Sequence, residues 1–314
     1  MKKPNLFIVG HPRNGTSSLH DYLDQHPDIF MSPIKEPNYF AKDFHAESDQ
    51  FHKKTHYFPF RTENRYLKCY KNWGHEKIVG EASATNLYSK IAYKEIYRFN
   101  SLSKIIISFR EPVDFLRSYH STAIFSLGEN IRDLKEALAL EAERKKGKYL
   151  SKRVITPSWL YYSEFINYSE LLNRYLSLFD RKQVKVIIFD DFKTDPAGTY
   201  REILEFLDVD PNFEPELKVV NPFKRDVKWP ALKYYVLDSP YFRKFQHLIL
   251  PDALYAKLTK LYLNNARKSK TQKQQMAPSL KNQLKAKFYP EVEKLAHLLD
   301  RDLISLWGYT GILN

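Results

Sequence analysis

The residues most able to do chemistry lie in one loop near the start of the chain. Gly10-His11-Pro12-Arg13-Asn14-Gly15-Thr16-Ser17-Ser18 follows the apolar run Leu6-Phe7-Ile8-Val9 and leads into an amphipathic stretch from Leu19 to Gln25. Such a loop, closed by hydroxyl residues that open a helix, aims backbone N–H groups at one spot, and the helix dipole adds to them. The chemistry served is the holding of an anion, phosphate above all. The spacing does not match a Walker A loop, and no Lys precedes Thr16 or Ser17 where nucleotide triphosphatases need one. Arg13 stands earlier. The loop therefore fits a phosphate-bearing donor other than a simple ATP–Mg²⁺ complex.

A second constellation lies about a hundred residues on. Ile107-Ser108-Phe109-Arg110-Glu111-Pro112 ends an apolar run, and Ser118 follows Arg110 by about two helical turns. An Arg fork and a Ser hydroxyl at that spacing can converge on one phosphate. An Arg ending a strand often serves only as a surface cap. Paired with the first loop, it points to two phosphate sites on a single ligand.

The elements that must position these groups can be read from the pattern. Asn5–Gly10, Lys77–Glu81, Lys104–Phe109 and Val184–Phe189 are apolar runs without clean alternation, as strands covered on both faces are. Helical spacing is expected over Tyr88–Phe99, Val113–Phe125, Ile131–Lys145, Ser163–Leu178 and Pro196–Leu207, with Pro112 and Pro196 at helix starts. Strands alternating with helices imply an α/β fold, a central parallel sheet flanked by helices, with ligands bound beyond the carboxyl ends of the strands. After Asn221 the strand signals stop. Trp229–Phe245, Asp252–Leu263 and Pro278–Leu299 read as helices, and Lys268–Gln275 as a basic loop. No repeat or linker divides the chain, so residues 1–314 are expected to form one domain, with 222–314 as its helical C-terminal portion.

Composition sets outer limits. An apolar share of 43% excludes a disordered or fibrous protein. A single cysteine, Cys69, rules out an internal disulfide framework and fits a reducing compartment. No run approaches the ~18 apolar residues of a membrane helix. A soluble, cytoplasmic protein is expected. The net charge of +13 points to an anionic partner. Nine basic residues and no Asp or Glu fall between Lys257 and Pro290, a solvated helix face or a docking surface for a polyanion or acidic carrier.

Taken together, the motifs resemble those of sulfotransferases that use 3′-phosphoadenosine 5′-phosphosulfate (PAPS), in particular bacterial and Golgi-type carbohydrate sulfotransferases with a P-loop NTPase-like fold. Their 5′-phosphosulfate loop is similar to Pro12–Ser18, and their 3′-phosphate motif to Arg110, Pro112, Ser118 and Tyr119. Val186–Pro196 and Leu298–Trp307 extend the likeness toward the C-terminus. The resemblance implies that Arg13, Asn14, Gly15, Thr16, Ser17 and Ser18 hold the 5′ end of PAPS, with Arg13 on the bridging oxygen of the leaving phosphate. Most members carry Lys at that position. Arg110 and Ser118 would hold the 3′-phosphate, joined by Lys224 and Arg225 from a basic loop. Lys35-Glu36-Pro37-Asn38-Tyr39-Phe40 resembles the segment that carries a catalytic Glu, which makes Glu36 the candidate general base. A free Glu titrates near ~4.3, so this role demands burial or a negative neighbour. His20, His45, His52, His56 and His120 are the competing bases, since some relatives use His.

Gly80-Glu81-Ala82-Ser83 resembles a Glu-Lys-Ser segment that lines the acceptor cleft, with Ala82 in place of the Lys. Loss of that charge argues against a heparan-like acceptor. Glu81, Ser83, Tyr39 and Phe40 are the candidate substrate-binding residues. The implied reaction is sulfuryl transfer from PAPS to a hydroxyl, on a carbohydrate first and otherwise on a lipid, polyketide or small molecule. The acceptor could be anionic or carrier-bound. No metal ligand set and no nucleic-acid partner are expected. Two other classes stay open at this point: a nucleotide kinase-like phosphotransferase, which lacks its loop Lys and Mg²⁺-binding Asp here, and a polyanion-binding protein relying on the late basic segment.

Overall fold

The computed structural model describes residues 3–55, 57–126, 128–217 and 276–312. Five strands, β1 (Leu6–Ile8), β2 (Ile29–Met31), β3 (Ile78–Ala82), β4 (Lys104–Phe109) and β5 (Val184–Ile188), form one sheet in the order β2-β3-β1-β4-β5. Every pairing is parallel. The helices are α1 (Thr16–Leu23), α2 (Lys42–His52), α3 (Glu63–Leu67), α4 (Ala92–Phe99), α5 (Pro112–Phe125), α6 (Leu134–Ala139), α7 (Glu141–Lys145), α8 (Tyr168–Leu176), α9 (Phe189–Thr194), α10 (Pro196–Leu207), α11 (Pro278–Leu299) and α12 (Leu303–Leu306).

The unalternating strand sequences are explained by burial on both faces. Phe7, Val9, Val79, Ile105, Ile107 and Phe109 enter one core, while Leu6, Ile8, Ile78, Ile106 and Ile187 enter the other. The chain leaves β1 toward β2 and β3, then crosses back to β4 and β5. The direction of winding therefore reverses between β1 and β4, where open parallel sheets bind ligands past the strand ends.

Four of the strands fall where the apolar runs placed them. β2 was not anticipated, because three residues between Asp28 and Ser32 carry too short a signal. The helix expected over Ile131–Lys145 begins only at Leu134, since Glu129 draws off the Ile131 N–H and Asp133 caps α6 through the Glu136 N–H, and it is divided into α6 and α7 at Leu140. The helix expected over Ser163–Leu178 is a 3₁₀ turn (Tyr162–Ile166) followed by α8, with Asn167 at the break. Tyr88–Phe99 becomes helical only from Ala92, where the Ser89 hydroxyl accepts from the Ile91 and Ala92 N–H groups. The C-terminal helix Pro278–Leu299 is present as expected and packs on α8 and α5. Trp229–Phe245, Asp252–Leu263, Lys268–Gln275, Lys224 and Arg225 lie outside the described residues.

Candidate active site

The anion loop is stitched to the end of β4. Val9 N–H donates to the Ile106 carbonyl and His11 N–H to that of Ser108 (2.9 and 3.2 Å). Asn14 Nδ2 donates to the same Ser108 carbonyl, and Ser108 Oγ donates back to the Asn14 carbonyl, both at 3.2 Å. The contact leaves no room for a side chain at Gly10, where a Cβ would lie 2.5 Å from Ser108 N. Arg13 and Gly15 adopt left-handed φ angles of 70° and 78°, which swing the loop around to the first turn of α1. No side chain caps α1 and its first turn holds no acid. The helix dipole therefore favours an anion at this end of α1. His11 turns the other way, into a cage of Tyr88, Phe109, Phe115 and Tyr168. Burial there holds its pKa well below the usual imidazole value.

A cleft of about 670 Å³ opens past the ends of β1 and β4, within the ~300–1,000 Å³ typical of small-ligand sites. Arg13, Gly15 and Thr16–Ser18 line it from the loop, Arg110 and Ser118 from the β4–α5 side, and Glu36 from a third segment. Asn14 does not line it; its amide is committed to β4. Arg110 is well held: Tyr168 OH donates to its carbonyl (2.9 Å), and its guanidinium lies over the Phe189 ring at 4.8 Å. Phe192 on the same helix presses on the loop, since a Cβ on Gly15 would meet its ring at 2.7 Å. Phe189 and Phe192, together with Tyr22 of α1, border the cleft beside the donor motifs. Sequence reading did not single them out, because nothing local distinguishes them from the many core aromatics.

Glu36 is carried on a segment that runs beside the end of β3. Ser32 N–H donates to Gly80 O and Glu36 N–H to Ala82 O (2.8 and 2.9 Å), and Asn38 N–H donates to Ser83 Oγ at 3.1 Å. Glu36 and Asn38 have φ of 53° and 52°. The Glu36 carboxylate accepts from the Ala84 N–H (3.2 Å). Desolvation by the surrounding protein pushes its pKa up to about 7, opposed by the Ala84 N–H, Lys35 and the Thr85 N–H. The residue nonetheless keeps solvent contact through the cleft, so water screens part of that effect until a ligand fills the space.

The residues expected to bind substrate are placed differently. Tyr39 stacks on Tyr66, and Phe40 packs edge-on against Phe7, Tyr66 and Phe99; both lie in the core and away from the cleft. Ser83 and Glu81 are fully buried and also do not line it. Ser83 instead holds the Glu36 segment through Asn38. Glu81 takes an Asn86 amide contact at 3.4 Å, and burial raises its pKa to about 8, with a smaller upward push from Glu36. Burial therefore favours its neutral form, opposed by hydrogen bonds with Tyr66 and Ser83. Among the histidines, His20, His45 and His52 bond the carbonyls of Ser32, Asn38 and Val154. His120 borders the cleft, yet its Nε2 is engaged with the Ile131 carbonyl and burial lowers its pKa; His56 lies outside the described residues. Among those residues no three His, Cys, Asp or Glu side chains group as a metal site requires, and no helix is long and apolar enough to cross a membrane.

A parallel sheet with an uncapped helix behind a glycine loop, and an Arg/Ser pair across the winding reversal, is an arrangement able to hold a ligand that carries two anionic groups. The description "Sulfotransferase family" matches residues 4–215, and the chain belongs to that family. A sulfotransferase from Alicyclobacillus acidocaldarius has the same fold, with a TM-score of 0.70, 28% identity and coverage of 98% of this chain and 99% of the other. Carbohydrate sulfotransferase 15 of Homo sapiens is 22% identical over 68% of this chain and 45% of its own length. Bifunctional heparan sulfate N-deacetylase/N-sulfotransferase 4 of Mus musculus is likewise 22% identical, over 67% of this chain and 23% of its own. The chain thus spans less than half the length of these curated relatives. Sulfotransferases of this family take their sulfuryl group from PAPS. The cleft suits that co-substrate in its donor set, with Arg13 and Thr16–Ser18 at one place and Arg110 and Ser118 at another.

Proposed function

We propose that this chain moves the sulfuryl group of PAPS onto an acceptor hydroxyl, with Glu36 as general base, and that residues 1–314 act as one catalytic domain. The observation that supports it most is that both phosphate motifs and Glu36 open onto one cleft. The loop N–H groups, the Thr16–Ser18 hydroxyls and the α1 terminus hold the 5′-phosphate, and Arg110 with Ser118 holds the 3′-phosphate. PAPS supplies an activated S–O bond to a phosphate leaving group. As the acceptor oxygen bonds to sulfur, its proton passes to Glu36, and the old S–O bond breaks to release 3′-phosphoadenosine 5′-phosphate (PAP). Negative charge grows on the bridging oxygen, where Arg13 stabilises it. A guanidinium does not give up its proton, so Arg13 acts by charge and hydrogen bonding alone.

Phe189, beneath Arg110, is the surface we assign to the adenine. A carbohydrate hydroxyl is the acceptor class we propose, supported by the name of the human relative. The test incubates purified chain with radiolabelled PAPS and a panel of saccharide, lipid and small-molecule hydroxyls. Label on a saccharide, lost in Arg13→Ala, is the expected result. Label only on non-saccharide acceptors removes the carbohydrate assignment, and absence of PAP binding by calorimetry removes the whole reading.

A further inference from the structure

We propose that the C-terminal segment Arg301–Tyr309 is a brace that sets the donor grip, with Trp307 and Tyr309 as positioning residues; this rests on the PAPS reading above. None of residues 301–309 lines the cleft. They act on the two loops that do. Tyr309 OH donates to Glu111 Oε1 at 2.8 Å, and Glu111 is the residue after Arg110. The same carboxylate caps α5 by accepting from the Val113 and Asp114 N–H groups (3.1 and 2.6 Å). Tyr309 therefore completes the cap that fixes both Arg110 and the helix carrying Ser118.

On the other side, Trp307 Nε1 donates to Asp190 Oδ2 at 2.9 Å, and Arg301 pairs with both oxygens of Asp191. Asp190 and Asp191 lie between Phe189, which underlies the Arg110 guanidinium, and Phe192, which presses on Gly15. One short stretch of chain thus ties the loop after β4 to the loop after β5. The brace is itself locked. Buried Lys285 on α11 donates to the Trp307 and Gly308 carbonyls, both at 2.7 Å, and its ammonium lies 4.7 Å from the centre of the Tyr309 ring. Relative movement of the two loops would shift Arg110 off Phe189, and the tail opposes that movement from outside the cleft.

The test is calorimetric affinity for PAP in the full chain, with a melting curve for each variant. Trp307→Phe, Tyr309→Phe and Asp190→Ala should each raise the PAP Kd by roughly three- to tenfold while the protein stays folded at the assay temperature. Asp190→Asn keeps an oxygen for the indole N–H and should stay within about twofold of the parent. Parent-like PAP affinity in all three loss variants overturns the brace, whatever their melting temperatures, because a merely stabilising tail would move only the latter. Equal weakening by Asp190→Asn and Asp190→Ala also overturns it. Arg110→Ala separates the two readings: if it leaves PAP affinity intact, the donor assignment itself fails, whereas weakened binding there with parent-like tail variants removes the brace alone.

Discussion

The two walls of the cleft are built on different principles. The loop at residues 10–15 is shaped by what its own residues permit: a glycine where β4 leaves no space, a left-handed glycine before α1, and a helix start without a side-chain cap. The wall bearing Glu36 is shaped from outside, by β3 and the turn after it, 45 or more residues away in the chain. Local demands leave marks in a sequence, whereas borrowed support leaves almost none. On the proposed reading the contrast also divides labour, the first wall binding the donor and the second taking the proton.

Substitutions that respect or violate this division test it. Glu36→Gln should lower kcat by roughly 10²–10⁴, the range for a lost general base, with PAP affinity unchanged by calorimetry; a parallel loss of PAP binding would show that the walls are not separable. In the parent enzyme kcat should fall about tenfold per pH unit below about 7, because a filled cleft excludes water and the raised Glu36 pKa leaves the base protonated there. The Gln variant should lose that limb.

Arg110→Ala tests the binding wall. A charge-assisted hydrogen bond to phosphate contributes ~1.5–3 kcal/mol, so the PAP Kd should rise roughly 10- to 100-fold. Its kcat at saturating PAPS should stay near the parent value. Ser83→Ala removes the hydroxyl that accepts from Asn38 N–H, and kcat should drop roughly three- to tenfold without a change in PAP affinity. No change in kcat would return Ser83 to a purely structural role.

The smallest expected effect is on stability. The fold raises the Glu81 pKa from 4.5 to about 8, so it favours the neutral acid. That stabilisation is complete below about pH 4.5 and is lost as pH rises through about 8. Glu81→Gln mimics the neutral form. Its melting temperature should match the parent near pH 4.5 and exceed it above pH 8 by several degrees. A difference of the same size at both pH values would refute the buried, neutral assignment.

Much of the fold was legible because strands buried on both faces need unbroken apolar runs, and Pro112 and Pro196 mark their helix starts plainly. The phosphate motifs were legible for the related reason that backbone geometry restricts residue type. Tyr39 and Phe40 could not be placed from the sequence, because an aromatic in a core and one on a binding surface look alike there; the stacking on Tyr66 and Phe7 puts both rings in the core. Glu81 and Ser83 do end β3, but the pleat turns them inward, a choice set by register with β1. Phe189 and Phe192 escaped notice because their meaning depends on Arg110 and Gly15, far away in the chain.

The seam between residues 9–14 and β4 has a mechanical consequence. Main-chain and side-chain bonds fasten the first anion grip to the strand that ends in the second. These bonds oppose hinging between the two, so on the proposed reading an incoming nucleotide meets a calliper of fixed span. Little protein ordering is then lost on that side during capture. Selectivity for the donor follows from length: a nucleotide whose two phosphates cannot reach both jaws at once forfeits one of them.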